Sequence, residues 1–155
     1  MKNLNECKET GNNNRFSRTE KGKTFVLQSD RHFHCDVVDI DGCVLKDLSI
    51  KKCDWLFLVP KSVNLGLKSK RSKAYYIELK GIDISDVCEQ LYNAIDKTKR
   101  QIPDFEIEAR VVGPKGIQPE IFNSRYYRKV KRIIKKDIQF CKVHKGNNFT
   151  HVEKI

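Results

Sequence analysis

Ala74-Tyr75-Tyr76-Ile77-Glu78-Leu79-Lys80-Gly81 is an apolar run broken near its end by two opposite charges and closed by glycine. Upstream, Cys53-Asp54-Trp55-Leu56-Phe57-Leu58-Val59 is a second apolar run, headed by an aspartate and ended by Pro60. Runs that lose their apolar–polar alternation suit strands covered on both faces, so both read as interior strands of a sheet. Side chains alternate along a strand, which puts Glu78 and Lys80 on one face with Tyr76, while Tyr75, Ile77 and Leu79 fill the other. If the two strands pair, Asp54, Glu78 and Lys80 converge at one edge of the sheet. Charges beside a core are costly unless they pair or bind a metal, so the convergence calls for a chemical reason.

Outward from these strands the pattern alternates between strand and helix. Thr24-Phe25-Val26-Leu27 is strand-like, and His32 to Ile40 with Cys43-Val44-Leu45 reads as two strands around an Asp41-Gly42 hairpin turn. After Gly81, Ile84, Val87, Cys88, Leu91 and Ile95 fall at helical spacing, with Asp83 or Ser85 as N-cap. Phe105 to Val112 alternates as a strand, and Gly113-Pro114-Lys115-Gly116 turns the chain. Pro119 suits the first turn of a helix running to about Lys136, and Ile138 to Val143 reads as a final strand before a polar tail. Residues 1–22 are polar enough to read as a flexible arm ahead of a single α/β domain over 23–155. A central mixed sheet flanked by helices on its faces follows from this order of elements.

The chain has 155 residues, with 31 Lys and Arg against 20 Asp and Glu, a net charge of +11. One domain fits this length, and the charge favours a polyanionic partner, nucleic acid first. The mean hydropathy of -0.60 and the missing membrane-length apolar run argue against a membrane span. The N-terminus lacks the apolar stretch of a secretory signal, so a cytoplasmic location is expected. In that reducing setting the cysteines at 7, 35, 43, 53, 88 and 141, which include no CxxC pair, read as core thiols without disulfides or zinc.

Two carboxylates beside a lysine suit metal-assisted hydrolysis of a phosphodiester: the carboxylates hold a hard cation, and the lysine orients water or steadies developing charge. Oxygen ligands point to Mg2+ or Mn2+ over zinc. Asp54, 23 intervening residues, then Glu78-Leu79-Lys80 leading into Gly81 and an amphipathic helix resemble the PD-(D/E)XK nuclease superfamily, over roughly Lys51 to Val112. The resemblance implies a restriction-endonuclease-like sandwich. It makes Asp54, Glu78 and the Leu79 carbonyl the metal ligands and Lys80 the catalytic lysine. Gln90 falls where some exonuclease members carry a glutamine. Many members also have a glutamate on a helix before the meander; here Glu20 is the nearest candidate, with Asp36 and Asp39 behind it.

For contacts with nucleic acid, DNA favoured over RNA, two basic groups stand out. Lys68, Lys70 and Arg71 lie in an acid-free connector leading into the Glu78 strand. Arg125, Arg128, Lys129 and Arg132 sit with Tyr126 and Tyr127 on the second helix, a mixture suited to phosphates and exposed bases. The expected activity is Mg-dependent endonuclease or phosphodiesterase, working as a homodimer or within a larger nuclease assembly, since duplex cleavage takes two active sites. Two alternatives remain: a non-catalytic nucleic-acid-binding module with a degenerate nuclease fold, and a basic surface for an acidic protein partner.

Overall fold

A computed structural model describes residues 1–61, 71–81, 83–116 and 118–155. It is an α/β structure with one mixed, seven-stranded sheet. The strands are β1 (Lys8–Glu20), β2 (Lys23–Asp39), β3 (Trp55–Val59), β4 (Ser72–Leu79), β5 (Phe105–Gly113), β6 (Gln139–Lys142) and β7 (Thr150–Lys154). Their order is β1-β2-β3-β4-β5-β6, and β7 pairs with β2. β1 to β4 form an antiparallel meander, whereas β5 runs parallel to β4 and β6 parallel to β5. Parallel neighbours need crossovers. Helix α1 (Val87–Thr98) supplies the first and α2 (Arg125–Ile134) lies within the second. Both runs read as interior strands do lie inside the sheet.

Residues 56, 58, 74 and 76 pack with Val87, Leu91 and Ile95 of α1 and Tyr127 and Val130 of α2. The other parity, Phe57, Val59, Tyr75, Ile77 and Leu79, packs with Phe25, Leu27, Phe33, Cys35 and Val37 of β2. So, among the described residues, the two helices cover one face only, and the expectation of helices on both faces is corrected. The opposite face is covered by the long β2, which bends far enough for Phe25 to meet Phe57 edge to face, with ring centroids 5.3 Å apart.

Residues 1–22, expected as a loose arm, instead hold a short 3-10 turn, Leu4–Glu6, and β1. β1 is an edge strand held by backbone pairing with β2 along nearly its whole length. Its outward faces stay in water, which explains its polar composition; Phe16, against Phe33, is its main apolar contact. The tip of the hairpin is Lys21-Gly22, with φ of 49° and 70°, the pair of positive values a type I′ turn requires. Asp41-Gly42 forms no hairpin. It sits in a π-helical turn, Ile40–Val44, where the Asp39 carboxylate accepts the Gly42 N–H at 2.6 Å.

The second helix begins later than Pro119: a 3-10 segment, Pro119–Asn123, precedes it, and the Ser124 hydroxyl caps α2 by accepting the Tyr126 N–H. The segment read as a polar tail contains β7. Cys35, Cys53, Cys88 and Cys141 are buried free thiols, whereas Cys7 and Cys43 form a disulfide. The absence of disulfides is thus corrected. Docking of β1 brings the Cys7 carbonyl within hydrogen-bonding reach of the Asp39 N–H, which places Cys7 beside the turn that carries Cys43.

Candidate functional site

Asp54 immediately precedes β3 and Glu78 lies near the end of β4. Trp55 is paired with Ile77, so one further step in the same antiparallel register sets Asp54 opposite Glu78. Asp54 is 3% exposed and Glu78 fully buried. One Asp54 oxygen, Oδ2, accepts the Leu79 backbone N–H at 2.7 Å, tying the carboxylate to the β4 terminus. The other, Oδ1, faces the Lys21 ammonium at 3.6 Å. Lys21 also donates to the Leu79 carbonyl at 3.4 Å.

Glu78 is the anomaly. Neither carboxylate oxygen has a hydrogen bond of proper geometry among the described residues. Its nearest cation is Lys80, whose Nζ stands 3.5 Å from Oε1. That contact carries out the expectation that Glu78 and Lys80 project to the same side. Burial raises the pKa of Glu78 well above the glutamate range, the Asp54 charge adds to the rise, and Lys80 and Lys21 only partly offset it. Burial likewise raises Asp54, opposed by the Leu79 N–H and by Lys21. Two desolvated carboxyls with raised pKa values, one of them raised further by the other, hold a net demand for positive charge.

Lys80 continues the strand by donating its N–H to the Val112 carbonyl at 2.8 Å. Gly113 lies close beneath it: a Cβ there would come within 3.2 Å of the Lys80 carbonyl. Past these strand ends opens a cleft of about 430 Å³, lined by Asp83, Ile84, Ser85, Lys115, Gln118, Glu120 and Ile121. Asp83, on the cleft wall, has its pKa lowered chiefly by hydrogen bonds from Ser85 and in part by the Lys80 charge. The carboxyl ends of parallel strands are where open α/β sheets bind ligands.

The remaining candidates divide. Glu20, at the end of β1, is an electrostatic neighbour of both Asp54 and Lys21. Asp36 and Asp39 are engaged elsewhere: Asp36 accepts from Lys8 and Thr10, and Asp39 holds the Gly42 turn. Gln90, on α1, donates its side-chain N–H to the Lys52 carbonyl at 3.3 Å, two residues before Asp54, and its own carbonyl oxygen is buried without a partner among the described residues.

Arg71 is exposed just ahead of β4, while Lys68 and Lys70 lie outside the described residues. Arg125, Arg128, Lys129 and Arg132 are exposed on α2. Lys129 stands over the rings of Tyr92 and Tyr126, and Arg125 over Tyr126, forming a cationic and aromatic surface across α1 and α2.

Lys21 is the residue that sequence reasoning missed. Its position depends on how a hairpin bends over the sheet, and the sole local signal was a following glycine suited to a turn. No family model, curated protein or solved structure matches the chain. Among the described residues no helix is long and apolar enough to cross a membrane, and no group of three or more His, Cys, Asp or Glu side chains is placed to hold a metal.

Proposed function

We propose that the protein is a divalent-metal-dependent nuclease that hydrolyses phosphodiester bonds, DNA being the favoured substrate, and that it resembles the PD-(D/E)XK superfamily in its chemistry. The observation carrying this reading is Glu78: a fully buried carboxylate with no hydrogen bond of proper geometry among the described residues, opposite buried Asp54 and beside Lys80. In that position the charged form is costly, and Lys80 at 3.5 Å meets only part of the cost, so the ionised carboxylate calls for a further cation.

The residues suit a hard divalent ion. Asp54 Oδ1, a Glu78 oxygen and the Leu79 carbonyl would hold it, with water filling the other positions. When bound, Mg2+ or Mn2+ supplies Lewis-acid polarisation of the phosphoryl oxygen and a more acidic water. The Leu79 N–H fixes the Asp54 carboxylate so that Oδ1 stays turned to the site. Glu78, kept from solvent, presents its charge without competing water. Lys80 donates from its ammonium toward the attacking water or the developing phosphoryl charge. The cleft beyond Lys80 has room for a sugar-phosphate segment, and the exposed cations of α2 offer phosphate contacts without reading bases.

The test is incubation of purified protein with supercoiled plasmid, linear duplex, branched DNA and RNA in Mg2+, Mn2+ or EDTA. Metal-dependent cleavage should fall by at least about 100-fold in Lys80→Ala and in Glu78→Gln, with folding verified by circular dichroism. Absence of cleavage on all substrates in both metals would refute the catalytic reading. A second reading, a non-catalytic nucleic-acid-binding module, is favoured by one observation: the Lys21 ammonium already faces Asp54 and the Leu79 carbonyl. It calls for salt-sensitive binding that is indifferent to divalent ions.

A further inference from the structure

The two oxygen atoms nearest the Lys21 ammonium, Asp54 Oδ1 at 3.6 Å and the Leu79 carbonyl at 3.4 Å, are two of the three groups assigned above to a divalent ion. We propose that Lys21 is a tethered cation that fills the ion's seat in the metal-free protein and must swing out for the ion to enter. The inference rests on the metal-binding reading of Asp54 and Glu78 and concerns how that site is regulated.

Four further features bear on it. Lys21 reaches the site from a turn at the tip of the β1–β2 hairpin, a device separate from the strands that carry Asp54 and Glu78. Lys23 Nζ donates to the Lys21 carbonyl at 3.1 Å, a contact that ties the backbone of the tip and not the Lys21 side chain. That side chain is 46% exposed, against 3% for Asp54, so the ammonium has water to move into while the carboxylate stays put. The contacts are also long for an ammonium with committed partners, at 3.4 and 3.6 Å. By contrast, Arg110 holds Glu153 through paired bonds of 2.9 and 2.7 Å in a buried setting. Lys21 therefore satisfies the carboxylate without sealing it. Competition of this kind weakens the apparent affinity of the ion by the fraction of molecules in which the seat is free.

The test measures Mn2+ binding by calorimetry, and melting temperature with and without Mn2+, for wild type, Lys21→Asn and Lys21→Met. Asparagine tolerates the positive φ of this position and is too short to reach Asp54, so Lys21→Asn keeps the turn while removing the ammonium. Both variants should bind Mn2+ on the order of tenfold more tightly, the gain expected if Lys21 holds the seat in about nine molecules of ten. Without metal both variants should melt lower than wild type, and Mn2+ should close most of that gap. Equal or weaker Mn2+ affinity in the variants overturns the tethered-cation proposal and leaves the metal site standing. If neither wild type nor variants bind Mn2+, the metal reading itself falls and takes this inference with it.

Discussion

Glu78 brings both carboxylate oxygens into a fully buried position, and the fold supplies one ammonium at 3.5 Å in return. A carboxyl whose pKa is raised by folding weakens the native state as pH climbs above the ordinary glutamate value, because the unfolded chain releases a proton that the native state retains or loses only at cost. In EDTA, Glu78→Gln should therefore be more stable than wild type by on the order of 2 kcal/mol at pH 8. The advantage should shrink as pH falls toward 4, where the carboxyl is neutral in both states. Melting curves across that range check this, and a difference independent of pH would show that Glu78 is not the strained charge. Much of this residue-scale picture was legible in the sequence. Glu78, Lys80 and Asp54 could be placed because strand alternation and an antiparallel register are local rules. Lys21 could not, since its approach depends on a bend spread along β2.

At the scale of elements, two X-Gly dipeptides competed for the role of hairpin turn. Asp41-Gly42 has the stronger turn composition, but Asp39 captures the Gly42 N–H and winds the chain into a π turn against Val44 and Ile40. Lys21-Gly22 won because twelve of the thirteen residues of β1 pair antiparallel with β2, which requires the chain to reverse there. Backbone pairing of a polar edge strand leaves no apolar periodicity to read, so β1 and β7 both passed for tails, whereas the apolar β3, β4 and α1 were recognised near their true bounds. Gly22, at φ 70°, has no neighbour within 4 Å of an added Cβ, so substitution there probes conformation alone. Gly22→Ala should cost about 1 kcal/mol in urea unfolding, and Gly22→Asn clearly less. Equal stability of all three would rule out the positive-φ turn that aims Lys21.

Across the whole molecule, the bend of β2 brings β7 over β5, and a buried ion cluster joins them. Arg110 grips the Glu153 carboxylate with two hydrogen bonds and also reaches Glu108, which in turn accepts from Lys136. The face of the sheet without helices is closed by this clamp as well as by the apolar contacts of β2. Burial opposes the Glu153 charge, but Arg110 and His151 outweigh it and hold its pKa down to about 2. His151, whose Nε2 lies 3.4 Å from Glu153 Oε2, is raised to about 9 by Cys141 and Glu153. A lowered acid contributes stability above its unfolded value, near 4.5, that is lost as pH falls through about 2; a raised histidine contributes below about 6.5 and loses it as pH rises through about 9. The clamp is therefore at full strength between about pH 5 and 6 and weakens on either side. Glu153→Gln should cost on the order of 2 kcal/mol in that window, because it leaves the Arg110 guanidinium with one buried partner fewer, and the cost should decline in strong acid. Hydrogen exchange tests where the loss falls: amides pairing β7 with β2 should exchange faster, while those between β4 and β5 keep their protection. Unchanged protection of β7 would mean that apolar packing alone holds the bent half of the sheet, and with it the hairpin tip that delivers Lys21 to Asp54.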